Sequence, residues 1–374
     1  MLLVVNAGSS SVKVALFGAG LDEVARGQVS EIGGASVVEV AGQKTARPVA
    51  DHQAALAALM QALGLTPAAL TGAAHRVVHG GAGLVAPCRL TPEALAGIEA
   101  CIPLAPLHNP ANLTAIRALA ALAPDLPQYA SFDTAFHATI PAVATTYALP
   151  GAERALGIRR YGFHGISYAS MVGHLRAKAA LPGRLLACHL GNGASLCAIR
   201  DGRSVATTMG YSPLEGLTMG SRTGDIDGNA VLRLAELHGI EGAARLLNRQ
   251  SGLLGLGGAS DMRALRAAGT PEAAFAIEHF AYWAVRHAGS MVAAMGGLDA
   301  IAFTGGIGEN DAAMRAAIVA GLGFLGARID PSANAARAEI LSATGSDVAM
   351  RIVRAEEERQ IASEARTIMA EEQA

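Results

Sequence analysis

An excess of charge of one sign is absent from this chain. Lys and Arg total 29 against 31 Asp and Glu, a formal net charge of −2, so nothing calls for nucleic acid or an anionic membrane as a partner. Cysteine is scarce. Cys88, Cys101, Cys188 and Cys197 show no C-x-x-C spacing or paired framework, which argues against a disulfide scaffold and reads as small buried hydrophobes in a reducing compartment. Long apolar runs are also lacking: stretches such as residues 54–64 (AALAALMQALG) are too short or interrupted to span a bilayer. Met1 is followed at once by an apolar run that ends in polar Asn6, without the basic region or cleavage site of a signal peptide. A cytoplasmic location is expected.

What is present suits two compact domains. The chain has 374 residues, 51% of them hydrophobic and only 4% aromatic, with 44 glycines. That is long enough for two full cores and too apolar for disorder. The informative feature is a near-repeat. Residues 2–17 read LLVVNAGSSSVKVALF and residues 185–199 read LLACHLGNGASLCAI. Each is an apolar strand, a polar residue, a Gly/Ser/Asn turn and a second apolar strand, and aligning Gly8 with Gly191 sets them close to half a chain apart. Turns of small residues can present several N–H groups to an anion. One such turn is most simply a hairpin; two, placed as if by duplication, suggest two like domains gripping one phosphorylated ligand.

Strands are expected at 2–5, 12–17, 185–190, 195–199 and 300–304, each short, apolar and bounded by glycine or polar turns. A helix should open at Pro92 behind an N-cap at Thr91, and another should run over 271–295 and stop near Gly296–Gly297. Alternation of the two argues for α/β layers, and the opening hairpins for mixed sheets. The charged tail 356–374 is helix-prone, with Ile361, Ala365 and Ile368 on one face, so it should pack on something.

Five further segments carry chemistry. His75-Arg76-Val77-Val78-His79-Gly80-Gly81 sets an arginine between two histidines before a Gly-Gly turn. Its planar fork suits a carboxylate or phosphate, and a surface ion pair is the plainer alternative. Asp133 ends the strand-like QYASFD, where it could hold Mg²⁺ or simply cap the next segment. His164 lies between Gly162 and Gly165 with no helical pattern after it. It reads either as structural or as a ring opened to a ligand by its glycines. Met219-Gly220-Ser221-Arg222-Thr223-Gly224-Asp225-Ile226-Asp227 crowds an arginine, two carboxylates and two glycines beside the apolar Pro213-Leu214-Glu215-Gly216-Leu217. Thr304-Gly305-Gly306-Ile307-Gly308-Glu309-Asn310 is neither a Walker loop nor a dinucleotide fingerprint, yet a strand–glycine–helix junction offers amide donors to a phosphate.

Taken in order, these segments resemble the acetate kinase family, within the sugar kinase, Hsp70 and actin superfamily, over essentially the whole chain. The resemblance implies duplicated actin-like (ribonuclease H-like) α/β domains with mixed sheets and a nucleotide cleft between them. The first would hold 1–135 plus the C-terminal helix 358–374, the second, nucleotide-binding, 136–357. Carried over residue by residue, it makes Asn6 and the Ser9–Ser11 turn, with Ser11 and Lys13, the first phosphate and metal loop. Arg76 and Arg222 match the arginines that hold acyl carboxylate and transferring phosphoryl. Asp133 matches the essential carboxylate, and His164 the histidine that contacts the phosphoryl group in flight, so that His164 and Arg222 would stabilise the transition state. His189, Leu190, Gly191, Asn192 and Gly193 match the second phosphate loop. Asp261, Met262 and Arg263 match a segment beside the adenosine, and Gly305, Gly306, Ile307, Gly308, Glu309 and Asn310 the adenosine loop. Glu357 matches the metal-associated glutamate, with Glu358 as the alternative. The methyl end of the acyl group would meet Val78, Leu107, Phe163 and Pro213. Val78, two residues past Arg76, would face the same side of a strand as that arginine and form the floor of a small pocket. The pattern departs at Ile166 and Tyr168, where the family usually has Thr and His, and at Gly228, where it usually has Pro.

The implied activity is reversible MgATP-dependent phosphorylation of acetate to acetyl phosphate, with ATP/ADP as co-substrate, Mg²⁺ (or Mn²⁺) as metal and a homodimer as the assembly. Acetate is ionised at neutral pH, so its attack needs no general base, and Asp133 would anchor the metal rather than take a proton. The difficulty is electrostatic: an anion must approach an anion, and two arginines, a histidine and Mg²⁺ would neutralise both partners. Competing readings are a propionate or butyrate kinase, separable only by the acyl pocket, and a noncatalytic ATP-binding scaffold of the same fold, which should lack the paired arginines.

Overall fold

The computed structural model describes residues 1–178 and 181–374. The chain divides into two units: residues 1–136, 165–170 and 356–374 form one, and residues 137–164 and 171–355 the other. This differs from the sequence-based division at three places, because Phe136, residues 165–170 and Glu356–Glu357 cluster with the first unit.

The first unit is built on an eight-stranded sheet. Its strands are β1 (Leu2–Ala7), β2 (Val12–Phe17), β3 (Glu23–Ser30), β4 (Val37–Val40), β5 (Gln43–Ala46), β6 (Gly72–Val77), β7 (Cys88–Arg89) and β8 (Gln128–Phe132), in the spatial order β5-β4-β3-β2-β1-β6-β8-β7. Successive side chains of a strand face opposite ways, and both faces are covered. Leu3 and Val5 point to a core completed by Leu56 and Leu59 of the helix His52–Ala62 and Leu119 of the helix Asn109–Leu122. Leu2 and Val4 point to the other side, where Ile361, Ala362 and Ala365 of the C-terminal helix Glu357–Glu371 cover them, joined by Ile166. Ile361 and Ala365 thus lie on a packed face, as their spacing predicts, with Ile368 at its margin.

The second unit carries a five-stranded sheet of β9 (Arg184–Leu190), β10 (Ala194–Arg200), β11 (Arg203–Thr207), β12 (Ala300–Thr304) and β13 (Ala349–Ile352), in the order β11-β10-β9-β12-β13. The helix Pro271–Met295 packs on it, started by the Thr270 hydroxyl, which accepts from the Ala273 N–H, and stopped by Gly296 in the left-handed region at φ +74°. Its buried residues, including Ala276, Phe280, Ala284 and Ala288, recur at helical spacing.

The duplication is visible in the topology. β1 pairs antiparallel with β2 and parallel with β6, which pairs parallel with β8. β9 pairs antiparallel with β10 and parallel with β12, which pairs parallel with β13. The two repeat segments therefore hold equivalent places in two mixed sheets.

Two local expectations are corrected. A helix, Gly165–Lys178, begins directly after His164. Ile166, Ser167 and Tyr168 in its first turn are all buried, so no polar stripe marks the helical period there. The glycine segment after β12 is also not an open loop but a helical turn, Gly305–Asn310, entered through Gly305 at φ +80°.

Candidate active site

In the first unit, three strand ends set out one polar cluster. Asn6 sits near the end of β1, Arg76 near the end of β6, and Asp133 one residue beyond β8. Arg76 donates from Nε to Asp133 Oδ1 at 3.2 Å and from Nη2 to Asp133 Oδ2 at 2.5 Å, and from Nη1 to Asn6 Oδ1 at 3.3 Å. Asp133 is 2% exposed and Arg76 24%. Burial alone would lower the Arg76 guanidinium; the Asp133 carboxylate outweighs it and holds the group above its ordinary value. The fork expected to face an acyl carboxylate or phosphoryl group is thus engaged with Asp133.

Glu357 opens the C-terminal helix and belongs to the same neighbourhood. Burial pushes its carboxyl up to about 7, with the Arg76 charge opposing and Asp133 and Glu358 adding to the rise. Glu358, the alternative, also acts by its charge on Arg76 and Glu357, and lines a cavity with Lys13, Arg26 and Glu39. Among the described residues no group of three or more His, Cys, Asp or Glu is arranged to hold a metal ion. Mg²⁺, however, takes only one or two carboxylates and completes its shell with water and substrate phosphate. Asn6, Asp133 and Glu357 supply oxygen donors alone, and a carboxyl held up to about 7 by burial gains from a neighbouring cation. This donor set fits Mg²⁺.

The first turn spans Gly8 to Ser11, with the Gly8 N–H donating to Ser11 O at 2.8 Å and His52 Nε2 2.7 Å from Gly8 O. Lys13 pairs with Asn6 across the hairpin. Two buried asparagines fix the strand ends. Asn112 donates to Ala7 O at 2.8 Å and accepts from the Val78 N–H at 3.1 Å; Asn109 donates to His79 O at 3.0 Å. These residues and His52 escaped the sequence reading. The signal was two asparagines three apart in HNPANL, on the face that helical spacing buries. His75 and His79 are both pushed down to about 4 by burial and remain neutral.

In the second unit, β9 and β10 join through Gly191–Gly193, the Gly191 N–H donating to Gly193 O at 3.0 Å. His164 stacks on His189 with ring centroids 4.1 Å apart, and its Nδ1 lies 2.9 Å from Ser195 Oγ. A Cβ on Gly193 would sit 3.2 Å from His164 Nε2 and 3.8 Å from Arg222 Nη1, so histidine and arginine both approach this turn. Arg222 donates from Nη1 to Pro213 O at 2.9 Å. The turn is tied to its neighbours by backbone. Gly220 donates to Asn192 O at 2.9 Å, and a side chain there would strike Asn192 Oδ1. A Cβ on Gly305 would come within 2.7 Å of Leu190 O. Gly305 also donates to Glu309 Oε1 at 3.1 Å, and fully buried Arg315 donates to Gly308 O at 2.9 Å. Neither Arg315 nor Ser195 was anticipated, since only tertiary packing brings them to these turns. Asp261 caps the helix Met262–Ala268 and is held down to about 2, first by its hydrogen bond with Arg263. Met262 is buried.

The residues expected from the resemblance to meet the acyl methyl belong to different units. Val78 and Leu107 are in the first, Phe163 and Pro213 in the second. Val78 is buried but lies one residue beyond the end of β6, so strand alternation does not set its direction relative to Arg76. Leu107 is 49% exposed, whereas Phe163 is buried.

The sequence model of the acetokinase family matches residues 1–363. An acetate kinase of Rhodopseudomonas palustris is 45% identical, over 97% of this chain and 96% of its own. One of Streptomyces avermitilis is 43% identical over the same shares. Among solved structures, a Porphyromonas gingivalis acetate kinase is 35% identical and covers 98% of this chain and 99% of its own, with a TM-score of 0.91. A Francisella tularensis propionate kinase, also 35% identical, covers 97% and 98% with a TM-score of 0.92. With the family's pattern matched from the first strand into the C-terminal helix, and the same fold behind it, this chain belongs to the acetokinase family.

Proposed function

We propose that this protein catalyses the reversible, MgATP-dependent phosphorylation of acetate to acetyl phosphate. The observation that carries the reading is full-length family membership together with two arginines in the polar clusters, which a scaffold that only binds ATP has no need of. In this reading Arg222 and the His164 Nε2 side supply positive charge and a hydrogen-bond donor to the equatorial phosphoryl oxygens as they are transferred in line. The amides of Gly191–Gly193 and of the Gly305–Asn310 turn hold nucleotide phosphate and adenosine, with Asp261–Arg263 beside the latter. Arg76 orients Asp133 through its two hydrogen bonds. Asn6, Asp133 and Glu357 hold Mg²⁺, which when bound neutralises nucleotide phosphate charge. No phosphoenzyme is required, because acetate is itself the nucleophile.

Specificity for acetate over propionate is part of the proposal. The competing preference has a specific observation in its favour, the propionate kinase among the similar structures. A methylene is worth about 1–3 kcal/mol in a fitted pocket, so acetate should lead propionate roughly 10- to 100-fold in kcat/KM. We also propose a homodimer, tested by sedimentation velocity. The deciding experiment is a hydroxamate assay with ATP, Mg²⁺ and acetate, propionate and butyrate. Acyl hydroxamate formed fastest from acetate is expected. Product mainly from a longer acid makes the protein that acid's kinase, and ATP binding without any product makes it a scaffold.

A further inference from the structure

The His164 ring is held by three neighbours in the second unit, and one of them lies outside the phosphate-loop motif. β9 and β10 pair antiparallel with Ser195 opposite His189, so the two side chains stand side by side on one face of the sheet. His164 rests on this pair. Its ring stacks on His189 at 4.1 Å with 17° between planes, and its Nδ1 is 2.9 Å from Ser195 Oγ. Ser195 is fully buried. The other ring nitrogen, Nε2, faces Gly193, where a Cβ would sit 3.2 Å away. The His164 backbone is in the left-handed region at φ +59°, a conformation that a non-glycine residue keeps only where its surroundings impose it.

We propose that Ser195 is a positioning residue: its hydroxyl donates to His164 Nδ1 and keeps the imidazole in the Nε2–H tautomer, with that N–H turned toward the transferring phosphoryl group. A neutral imidazole carries a hydrogen on one nitrogen and a lone pair on the other. With Nδ1 accepting from Ser195, Nε2 is the donor. The opposite tautomer would aim a lone pair at a phosphoryl oxygen and repel it. Stacking on His189 fixes the plane of the ring but not which nitrogen bears the hydrogen; in the proposal the Ser195 hydroxyl, able to donate or accept, acts as the donor and sets it. The inference rests on the reading that His164 contacts the phosphoryl group, and it names what makes that contact a donor.

The test is ¹⁵N-histidine NMR on the free protein, wild type and Ser195→Ala, with the His164 signals assigned by their loss in His164→Asn. The Nε2–H tautomer is expected in the wild type and a tautomer mixture in Ser195→Ala. In turnover, Ser195→Ala should lower kcat about 3- to 10-fold, the scale of one hydrogen bond, with both KM values changed less than about two-fold. In a His164→Ala background the same substitution should cost nothing more. A wild-type ring that is Nδ1–H or imidazolium, or a tautomer unchanged by Ser195→Ala, would overturn the proposal. So would a kcat loss that persists in the His164→Ala background, because Ser195 would then act other than through His164. The expected tautomer in a protein that forms no acyl phosphate overturns the kinase reading instead.

Discussion

Replacing Arg76 with leucine should leave Asp133 as a buried, uncompensated charge. In the wild type that carboxylate, 2% exposed, takes two hydrogen bonds from a guanidinium that is itself only 24% exposed. Removing one partner of a buried pair costs about 3–5 kcal/mol, and the partial exposure of Arg76 sets the expectation near 3 kcal/mol. The cost must depend on pH. Without the guanidinium, the Glu357 carboxyl, pushed up to about 7 by burial against the opposing Arg76 charge, rises further. Above its unfolded value of about 4.3 the folded state then binds more protons than the unfolded one, so stability falls as pH rises until the folded carboxyl has ionised. The loss should therefore be nearly full at pH 8 and partial at pH 5. Trp283, the single tryptophan, lies in the second unit, so fluorescence does not follow this event. Hydrogen exchange of peptides covering β6 and β8, corrected for intrinsic rates, reads it directly. Adding Asp133→Asn to Arg76→Leu should recover most of the loss at pH 8. An equal loss at both pH values, or no recovery in the double variant, would mean that the arginine's packing matters and not the unpaired charge.

Three further outcomes are expected. Gly193→Ala places a Cβ 3.2 Å from His164 Nε2 and should lower kcat about tenfold or more by displacing the ring, at nearly unchanged Tm; a kcat near wild type would contradict this geometry. Glu357 has a folded value, about 7, above its unfolded one, so its contribution to stability is complete at low pH and is lost as pH rises toward 7. Metal-free wild type should therefore melt lower at pH 8 than at pH 5.5 and be restored by Mg²⁺, and Glu357→Gln should blunt both effects in thermal melts with EDTA or Mg²⁺. Gly228 occupies the first turn of its helix behind the cap Asp227, whose φ −61° and ψ 134° suit a residue before proline and whose carboxylate accepts from Asn229 and Ala230. Gly228→Pro should then stabilise by about 0.4–1 kcal/mol in urea unfolding; destabilisation would show that Gly228 needs its freedom.

The hairpins and the glycine turns were legible because they depend on neighbours in sequence. Leu2–Phe17 and Leu185–Ile199 each read as two apolar strands around a turn of small residues, and each pairs as an antiparallel hairpin. The ordered motifs likewise marked Asn6, Arg76, Asp133, His164 and Arg222 without reference to contacts. The strands β4 and β5 at one end of the sheet escaped notice: β4 is short, and Gln43–Ala46 is wholly exposed with three polar residues of four, so no apolar periodicity announces them. The helix after His164 was invisible for the opposite reason, since its first turn is buried on every side.

At the site the division is sharper. The amino acids alone determined which charges and donors exist: oxygen ligands at Asn6, Asp133 and Glu357, cations at Arg76 and Arg222, and a histidine between glycines. Tertiary structure alone decided their states. It clamped Arg76 onto Asp133, set the charges of both Glu357 and Glu358 near that arginine, and carried Ser195 to within hydrogen-bond reach of His164. These states depend on desolvation and on distances between groups far apart in the chain, and both arise only when the sheets and helices have closed around them.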